Sequence, residues 1–182
     1  MIDLVFPNNN EERLLETAKK LGWKDVCFAY EFTNLKETVA KLKSQKTSAV
    51  IVTQSNFMQA KFAKIILQRA GEDPTQALKS GKVHGLLGIE KCRITQVHCK
   101  MARDNNIAFC FGLTTLLNPK NVSWLHRHAK LINKYKVPLI LGSLAKSPHE
   151  MRGYHDLFGL FTTIGIEKGL VKKGFEFLEE IE

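Results

Sequence analysis

Residues Lys134–Asp156 read KYKVPLILGSLAKSPHEMRGYHD, and this segment decides the fold class. Its apolar run, Val137–Leu141, suits a buried strand and stops at Gly142-Ser143. A helix start follows in Ser147–Glu150, whose serine, proline and glutamate suit the N-cap, the first turn and a capping box. The segment therefore predicts a strand, a short turn and a helix, which is the repeating unit of α/β proteins.

Short apolar runs alternate with amphipathic segments along the rest of the chain. Helix start signals stand between the runs at Asn34, Asp73-Pro74 and Asn118-Pro119. Most runs are continuously apolar, which is typical of parallel strands covered on both faces. We expect an α/β fold with parallel strands, a compact TIM-barrel-like (βα) repeat, with an open sheet as the alternative. The predicted strands are Ile2–Phe6, Asp25–Tyr30, Ser48–Thr53, Ala63–Gln68, Val83–Ile89, Ile107–Gly112 and Val137–Gly142.

The eighth unit is the least regular part of the pattern. The apolar stretch Leu157–Ile166 predicts a helix followed by a short strand at Phe161–Ile164, and Glu167–Glu182 predicts a terminal helix. Closed barrels rarely have fewer than about 200 residues, so the helices here must be short. We expect residues 1–182 to form a single TIM-barrel-like domain.

Basic residues outnumber acidic ones, 27 to 18, which gives a formal net charge of +9. This balance favours a polyanionic partner, nucleic acid first. No apolar stretch approaches the ~18–20 residues that a membrane span needs, and the N-terminus does not resemble a signal peptide. The four cysteines lack metal-ligand spacing and are expected to be reduced thiols. These features predict a cytoplasmic protein with no membrane partner and no metal site.

Catalytic side chains are sparse at the predicted strand ends, where parallel barrels place their chemistry. Only Glu31 and Glu90 stand there as possible metal ligands, and the six histidines are scattered. The sequence has no nucleophile-elbow, P-loop or dinucleotide-binding motif. We therefore expect no catalytic residue and no cofactor bound by this chain.

Two predicted helices carry basic stripes. On Pro119–Tyr135, apolar positions 122, 125, 129 and 132 recur at helical spacing, and Lys120 lies with other cations on the opposite face. A second helix is predicted at Arg93–Asp104, with Ile94, Val97 and Met101 on its apolar face. Neither stripe is balanced by acidic residues, and such faces suit phosphate contacts. The predicted RNA-binding residues are Arg93, Lys100, Arg103, Arg127, Lys130, Lys134, Lys146 and Arg152.

Several stretches, through their order and spacing, resemble the archaeal ribonuclease P protein component 3 family, which is related to the eukaryotic thirty-kilodalton subunit. The Gly142-Ser143 turn and Arg152 match the family's C-terminal motif, although Gly153-Tyr154 replaces the usual Ser-Pro. The resemblance covers most of the chain. The other matching stretches are Ile2–Pro7, Ala18–Trp23, Val83–Glu90 with Arg93, Val97–Ala108, Lys134–Pro138, and Glu150–Arg152 with Asp156-Leu157.

The resemblance implies a barrel akin to the polymerase-and-histidinol-phosphatase metal hydrolases. Their opening Asp-Leu-His-x-His is here Asp3-Leu4 followed by Val5-Phe6, so the metal-binding histidines are absent. It also implies a subunit of ribonuclease P, the RNA-based endoribonuclease that removes the 5′ leader of precursor tRNA. In that enzyme the RNA uses Mg²⁺, and this chain would bind the ribonuclease P RNA together with component 2 and the other ribonuclease P proteins. Precursor tRNA would be a partner only indirectly.

Two other functions stay open at the level of sequence. One is a divergent metal-dependent phosphoesterase of the related hydrolase group, which would use Glu31, Glu90 and His149 at strand ends. The other is a barrel enzyme that acts on small anionic substrates and holds their phosphate at the Ser143 turn.

Overall fold

The computed structural model describes residues 1–181, and its centre is a sheet of seven parallel strands in sequential order. All seven predicted strands occur, although the predicted Val83–Ile89 shortens to Gly85–Leu87. The sheet curls into a nearly closed barrel, which confirms the predicted TIM-barrel-like fold. The strands are β1 (Ile2–Val5), β2 (Asp25–Glu31), β3 (Ser48–Val52), β4 (Ile65–Arg69), β5 (Gly85–Leu87), β6 (Ala108–Gly112) and β7 (Leu139–Gly142).

The barrel interior is a packed core. Because successive strand residues point to opposite faces, every second residue contributes to the interior cluster and the others pack against the helices. Many interior side chains are small, as a seven-stranded barrel requires. The buried interior residues from the strands are Ile2, Leu4, Cys27, Ala29, Ala49, Ile51, Ile65, Leu67, Leu87, Ala108, Cys110 and Ile140.

Helices surround most of the barrel, but β3 and β4 are joined only by the 3-10 turn Phe57–Ala60. The predicted caps at Asn34 and Asn118 are confirmed, because their side chains accept hydrogen bonds from the backbone N–H groups of Glu37 (2.9 Å) and Lys120 (3.0 Å). None of the described helices is long and apolar enough to cross a lipid bilayer. The helices are α1 (Glu11–Lys20), α2 (Leu35–Lys43), α3 (Thr75–Ser80), α4 (Gln96–Asp104), α5 (Leu113–Leu116), α6 (Pro119–Tyr135), α7 (Tyr154–Thr163) and α8 (Lys168–Ile181).

Two predictions about the C-terminal part are wrong. No strand forms at Phe161–Ile164, because Phe161 is buried on the apolar side of α7. The capping box at Ser147 forms, but it begins only the 3-10 turn Pro148–Glu150. Helix formation stops there because the next residue, Met151, is extended and buried.

The terminal helix α8 covers the seam between β7 and β1. Its Gly174 lies so close to β7 that a Cβ atom there would be 2.9 Å from Leu141 Cγ and 3.0 Å from Leu139 Cβ. Towards its end, Phe177 and Leu178 join the interior cluster of the barrel. The helix therefore completes the core at the place where an eighth strand was expected.

A substitution pair on α8 tests this close packing. We expect Gly174→Ala to lower the free energy of unfolding by about 2 kcal/mol, because the methyl group would push the helix away from β7. Gly169→Ala is the matched control, since no atom lies within 4 Å of a Cβ built at Gly169. It should raise the free energy of unfolding by about 0.5 kcal/mol through helix propensity. Urea unfolding of both variants measures their free energies of unfolding. Equal changes in the two variants would contradict the close packing of α8 against β7.

Candidate nucleic-acid interface

The last turns of α4 and α6 lie at the amino edge of the sheet. Each of these helices connects two adjacent parallel strands, so each must return the chain from the carboxyl edge to the amino edge. The two helices pack against each other. The cations in their last turns, Arg103 on α4 and Lys134 on α6, therefore lie towards the end of the barrel opposite to the one where barrel enzymes place catalytic residues.

Tyr135 is the point at which the two helices bring their cations together. Lys100 Nζ of α4 lies 5.9 Å from the centre of the Tyr135 ring, and Lys134 Nζ of α6 lies 5.6 Å from it. The phenol group donates a hydrogen bond to Gln96 Oε1 (3.0 Å), which fixes the ring between the helices. We call Lys100, Lys134 and Tyr135 the lysine–tyrosine junction.

The basic stripe of α6 has the predicted arrangement. Arg127, Lys130 and Lys134 are exposed. Leu125, Ala129 and Ile132 are buried on the other side of the helix, as the spacing predicts. The Arg127 side chain folds onto its own helix, where Nε donates to the Ser123 carbonyl oxygen (3.2 Å). The role of these cations in RNA binding stays a prediction.

The stripe predicted on α4 needs three corrections. Arg93 lies outside the helix, because Thr95 and His98 form a capping box that begins α4 at Gln96. Val97 is 61% exposed, and Cys99 and Ala102 form the buried face instead. The stripe also has an acidic neighbour, since the Arg103 guanidinium donates a hydrogen bond to Asp104 Oδ1 (2.7 Å). Of the predicted cations of this segment, only Lys100 and Arg103 lie on the helix.

Lys146 and Arg152 lie in the segment between β7 and α7, away from the lysine–tyrosine junction. This segment is attached to the region around α1: Asn10 Nδ2 donates to the Lys146 carbonyl oxygen (2.9 Å), and Trp23 Nε1 donates to that of Arg152 (3.0 Å). The Arg152 guanidinium donates to the carbonyl oxygens of His149 (2.9 Å) and Met151 (2.6 Å). Arg152 thus braces its own loop.

The Gly142-Ser143 turn closes the barrel. Ser143 is completely buried, and both its N–H and its hydroxyl donate to the Asp3 carboxyl group at 2.6 Å. A Cβ atom at Gly142 would lie 2.9 Å from Asp3 Oδ1 and from the Leu4 nitrogen, which explains the glycine. A backbone hydrogen bond from the Leu144 N–H to the Leu4 carbonyl oxygen (2.9 Å) also joins the segment after β7 to β1. The turn that sequence suggested as a phosphate site therefore has no donor facing solvent at Ser143.

Burial raises the pKa of Asp3 from 3.8 to about 7, against the opposing effect of the hydrogen bonds from Ser143. The folded protein keeps this proton at pH values where the unfolded chain has lost it. The contribution of the carboxyl group to stability is therefore complete below about pH 4 and is lost as the pH rises through about 7.

Asp3→Asn tests this linkage, because the amide has the shape of the protonated carboxyl group and cannot ionise. We expect the stability of the natural protein to fall, relative to the variant, by up to about 1.4 kcal/mol per pH unit between pH 4 and 7. Urea unfolding of both proteins across this pH range gives the difference between their free energies of unfolding. The contributions of the other carboxyl groups are the same in both proteins and cancel in this difference. A difference that stays constant with pH would contradict the raised pKa.

The residues proposed as metal ligands do not fit a metal centre. Glu31 is exposed and forms an ion pair with Arg69, and His149 is exposed in the segment after β7. Within residues 1–181, no three His, Cys, Asp or Glu side chains gather as a metal site would require. The four cysteines are buried, and burial raises the pKa of the Cys99 thiol to about 11.

Tyr135 is the residue of the lysine–tyrosine junction that the sequence did not single out. The spacing of α6 placed Tyr135 next to the basic stripe, but only packing against α4 brings Lys100 to the same ring. A usable signal existed in the Lys134-Tyr135-Lys136 triplet at the end of the helix, where an aromatic ring stands between two cations.

The fold is similar to that of a chain in archaeal ribonuclease P, solved with mature tRNA by cryo-electron microscopy. The TM-score is 0.75, with 22% identity over 100% of this chain and 89% of that chain. The fold is also similar to histidinol phosphate phosphatase from Lactococcus lactis, solved with zinc, L-histidinol and phosphate: the TM-score is 0.54, with 10% identity over 91% of this chain and 94% of that chain. No protein-family model matches the sequence. At these identities, the likeness establishes a shared barrel fold.

Proposed function

We propose that this chain is a protein subunit of ribonuclease P, which binds the catalytic RNA of that enzyme through the exposed faces of α4 and α6. The observation that carries the proposal is the lysine–tyrosine junction. Two lysines from different helices converge on one ring, and neither forms an ion pair with a residue in the described range 1–181. Likeness of fold to a chain in archaeal ribonuclease P supports the choice of RNA.

Phosphate neutralisation is the physical role of this surface. RNA helices repel one another through their phosphates, and lysine and arginine side chains that replace condensed counterions let them pack closely. Such contacts supply affinity and orientation without reading the base sequence. In the proposed complex the RNA binds Mg²⁺ and performs the cleavage of the 5′ leader of precursor tRNA, while this chain supplies no catalytic group. Component 2 and the other ribonuclease P proteins are the proposed protein partners.

A metal-dependent phosphoesterase is the less favoured function for this barrel. The likeness to histidinol phosphate phosphatase concerns the fold, and the strand ends here offer Glu31 and Glu90 without neighbouring ligands in residues 1–181. Arg69 already neutralises Glu31. The barrel thus has the architecture of the phosphatase, but its donor set does not fit a cluster of divalent cations.

Purification from the native cell and reconstitution test the proposed function. We expect the endogenous protein to bring down ribonuclease P RNA. We also expect the purified chain, with component 2 from the same organism, to activate the catalytic RNA for 5′-leader removal at low Mg²⁺ concentration. Absence of both results would overturn the proposal. Phosphatase activity that depends on added Mn²⁺ or Zn²⁺ would favour the phosphoesterase instead.

A further inference from the structure

A cavity of about 520 Å³ opens beside the proposed RNA surface. It lies at the amino ends of β6 and β7, between the end of α4 and one face of α8. Its floor is apolar and comes from Leu139, Leu170 and Phe177, which are all buried. A site of this volume with an apolar floor suits a small planar group.

The rim of the cavity is cationic. Arg103, Lys136 and Lys173 line it, with Glu180 as the single carboxylate among the lining residues. Arg103 and Lys136 form exposed ion pairs with Asp104 and Glu167. Exposed pairs of this kind contribute little stability, so a phosphate group can replace the carboxylate at low cost. Lys173 forms no ion pair with any residue between 1 and 181, whereas the adjacent Lys172 lies 4.0 Å from Glu176 Oε1.

Two cations of the cavity rim are near neighbours in sequence of the lysine–tyrosine junction. On α4, Arg103 follows Lys100 by three residues, and both side chains are exposed. On the neighbouring helix, Lys136 is the C-cap residue of α6 and comes two residues after Lys134. An RNA backbone that crosses the junction is thereby led to the rim of the cavity.

We propose that this cavity receives one unstacked nucleotide of the bound RNA. The base would lie on Leu170 and Phe177, and the flanking phosphates would contact Lys173 and Lys136. Proteins recognise RNA commonly through bases splayed out from loops and bulges, and cationic rims attract the backbone on either side. This inference rests on the proposed function, and it adds that the RNA at this surface has an unpaired residue.

Binding of two synthetic RNA hairpins to the full chain tests the inference. One hairpin has a fully paired stem. The other has the same stem with one additional unpaired nucleotide, which is 4-thiouridine. We expect the natural protein to bind the bulged hairpin about tenfold more tightly. Irradiation should cross-link the 4-thiouridine to residues of the cavity. Leu170→Trp, which fills the cavity without changing charge, should abolish the preference and leave the affinity for the paired hairpin within about twofold.

A charge variant keeps the test decisive if Leu170→Trp does not fold. Lys173→Glu should reduce the preference for the bulged hairpin, whereas the adjacent and exposed Lys172→Glu should preserve it. Equal binding of both hairpins by the natural protein would overturn the cavity inference and leave the proposed function intact. Failure to bind either hairpin would overturn both.

Discussion

Asp3→Ala is expected to lower the free energy of unfolding by about 3 kcal/mol at pH 5. The reason is the seam between the first and last strands, where the Ser143 N–H and hydroxyl both donate to this carboxyl group. Alanine would leave these buried donors without their acceptor, at a place that water does not reach. For a chain of this length, such a loss corresponds to a fall of roughly 6–12 °C in the thermal midpoint.

Two further variants separate the hydrogen bonds from other effects of the substitution. Asp3→Asn retains an acceptor for the Ser143 N–H and should stay within about 1 kcal/mol of the natural protein at pH 5. Ser143→Ala, combined with Asp3→Ala, completes a double-mutant cycle that isolates the coupling of the two side chains. A loss below about 0.5 kcal/mol in Asp3→Ala would show that the barrel closes without this contact.

The barrel could be predicted from sequence because its signals are local. Continuous apolar runs gave all seven strands, and side chains such as Asn34 and Asn118 marked helix starts that the structure contains. The closure of the barrel between β7 and β1 could not be predicted from local signals. It depends on Asp3 and Ser143, which lie 140 residues apart. Periodicity also assigned a strand to Phe161–Ile164, although the apolar side of α7 supplies the same pattern.

Helical spacing predicted the exposed basic face of α6 but not that of α4. The spacing on α6 correctly placed Arg127, Lys130 and Lys134 on the exposed face, because a long amphipathic helix has one clear apolar side. It failed on the shorter α4, where the capping box at Thr95 shifts the helix start and leaves Arg93 outside. Residue spacing within one helix does not predict that Lys100 and Lys134 lie over the same ring, because their proximity results from packing between the two helices.

The exposed cations and the sparse acidic side chains of the strand ends lie in different parts of the barrel. Parallel barrels carry catalytic groups at the carboxyl edge of the sheet. The cavity lies at the amino edge, and the lysine–tyrosine junction lies where the last turn of α6 packs against α4. A barrel that uses this edge for binding can lose metal ligands at the other edge without loss of that surface.

Charge reversal at the junction should have the largest effect on RNA binding. We expect the double substitution Lys100→Glu with Lys134→Glu to weaken binding of ribonuclease P RNA on the order of 100-fold at 0.1 M salt. Both cations lie over the Tyr135 ring, so two carboxylates there would repel the phosphates that the lysines attract. The slope of log affinity against log salt concentration should decrease in magnitude by about 2. Filter binding at several salt concentrations measures both quantities.

The matched control lies on α2, which packs against β2 and β3. Lys41 Nζ of that helix is 5.8 Å from the centre of the Tyr30 ring, so it also lies over an aromatic ring, and Lys36 is exposed nearby. Lys36→Glu with Lys41→Glu changes the net charge of the protein by the same amount as the junction variant. Because a general field effect depends on net charge and a binding surface depends on position, we expect the control to weaken binding by less than about fivefold. Equal losses in the two variants would mean that RNA responds to the overall charge of the barrel and has no preferred site at α4 and α6.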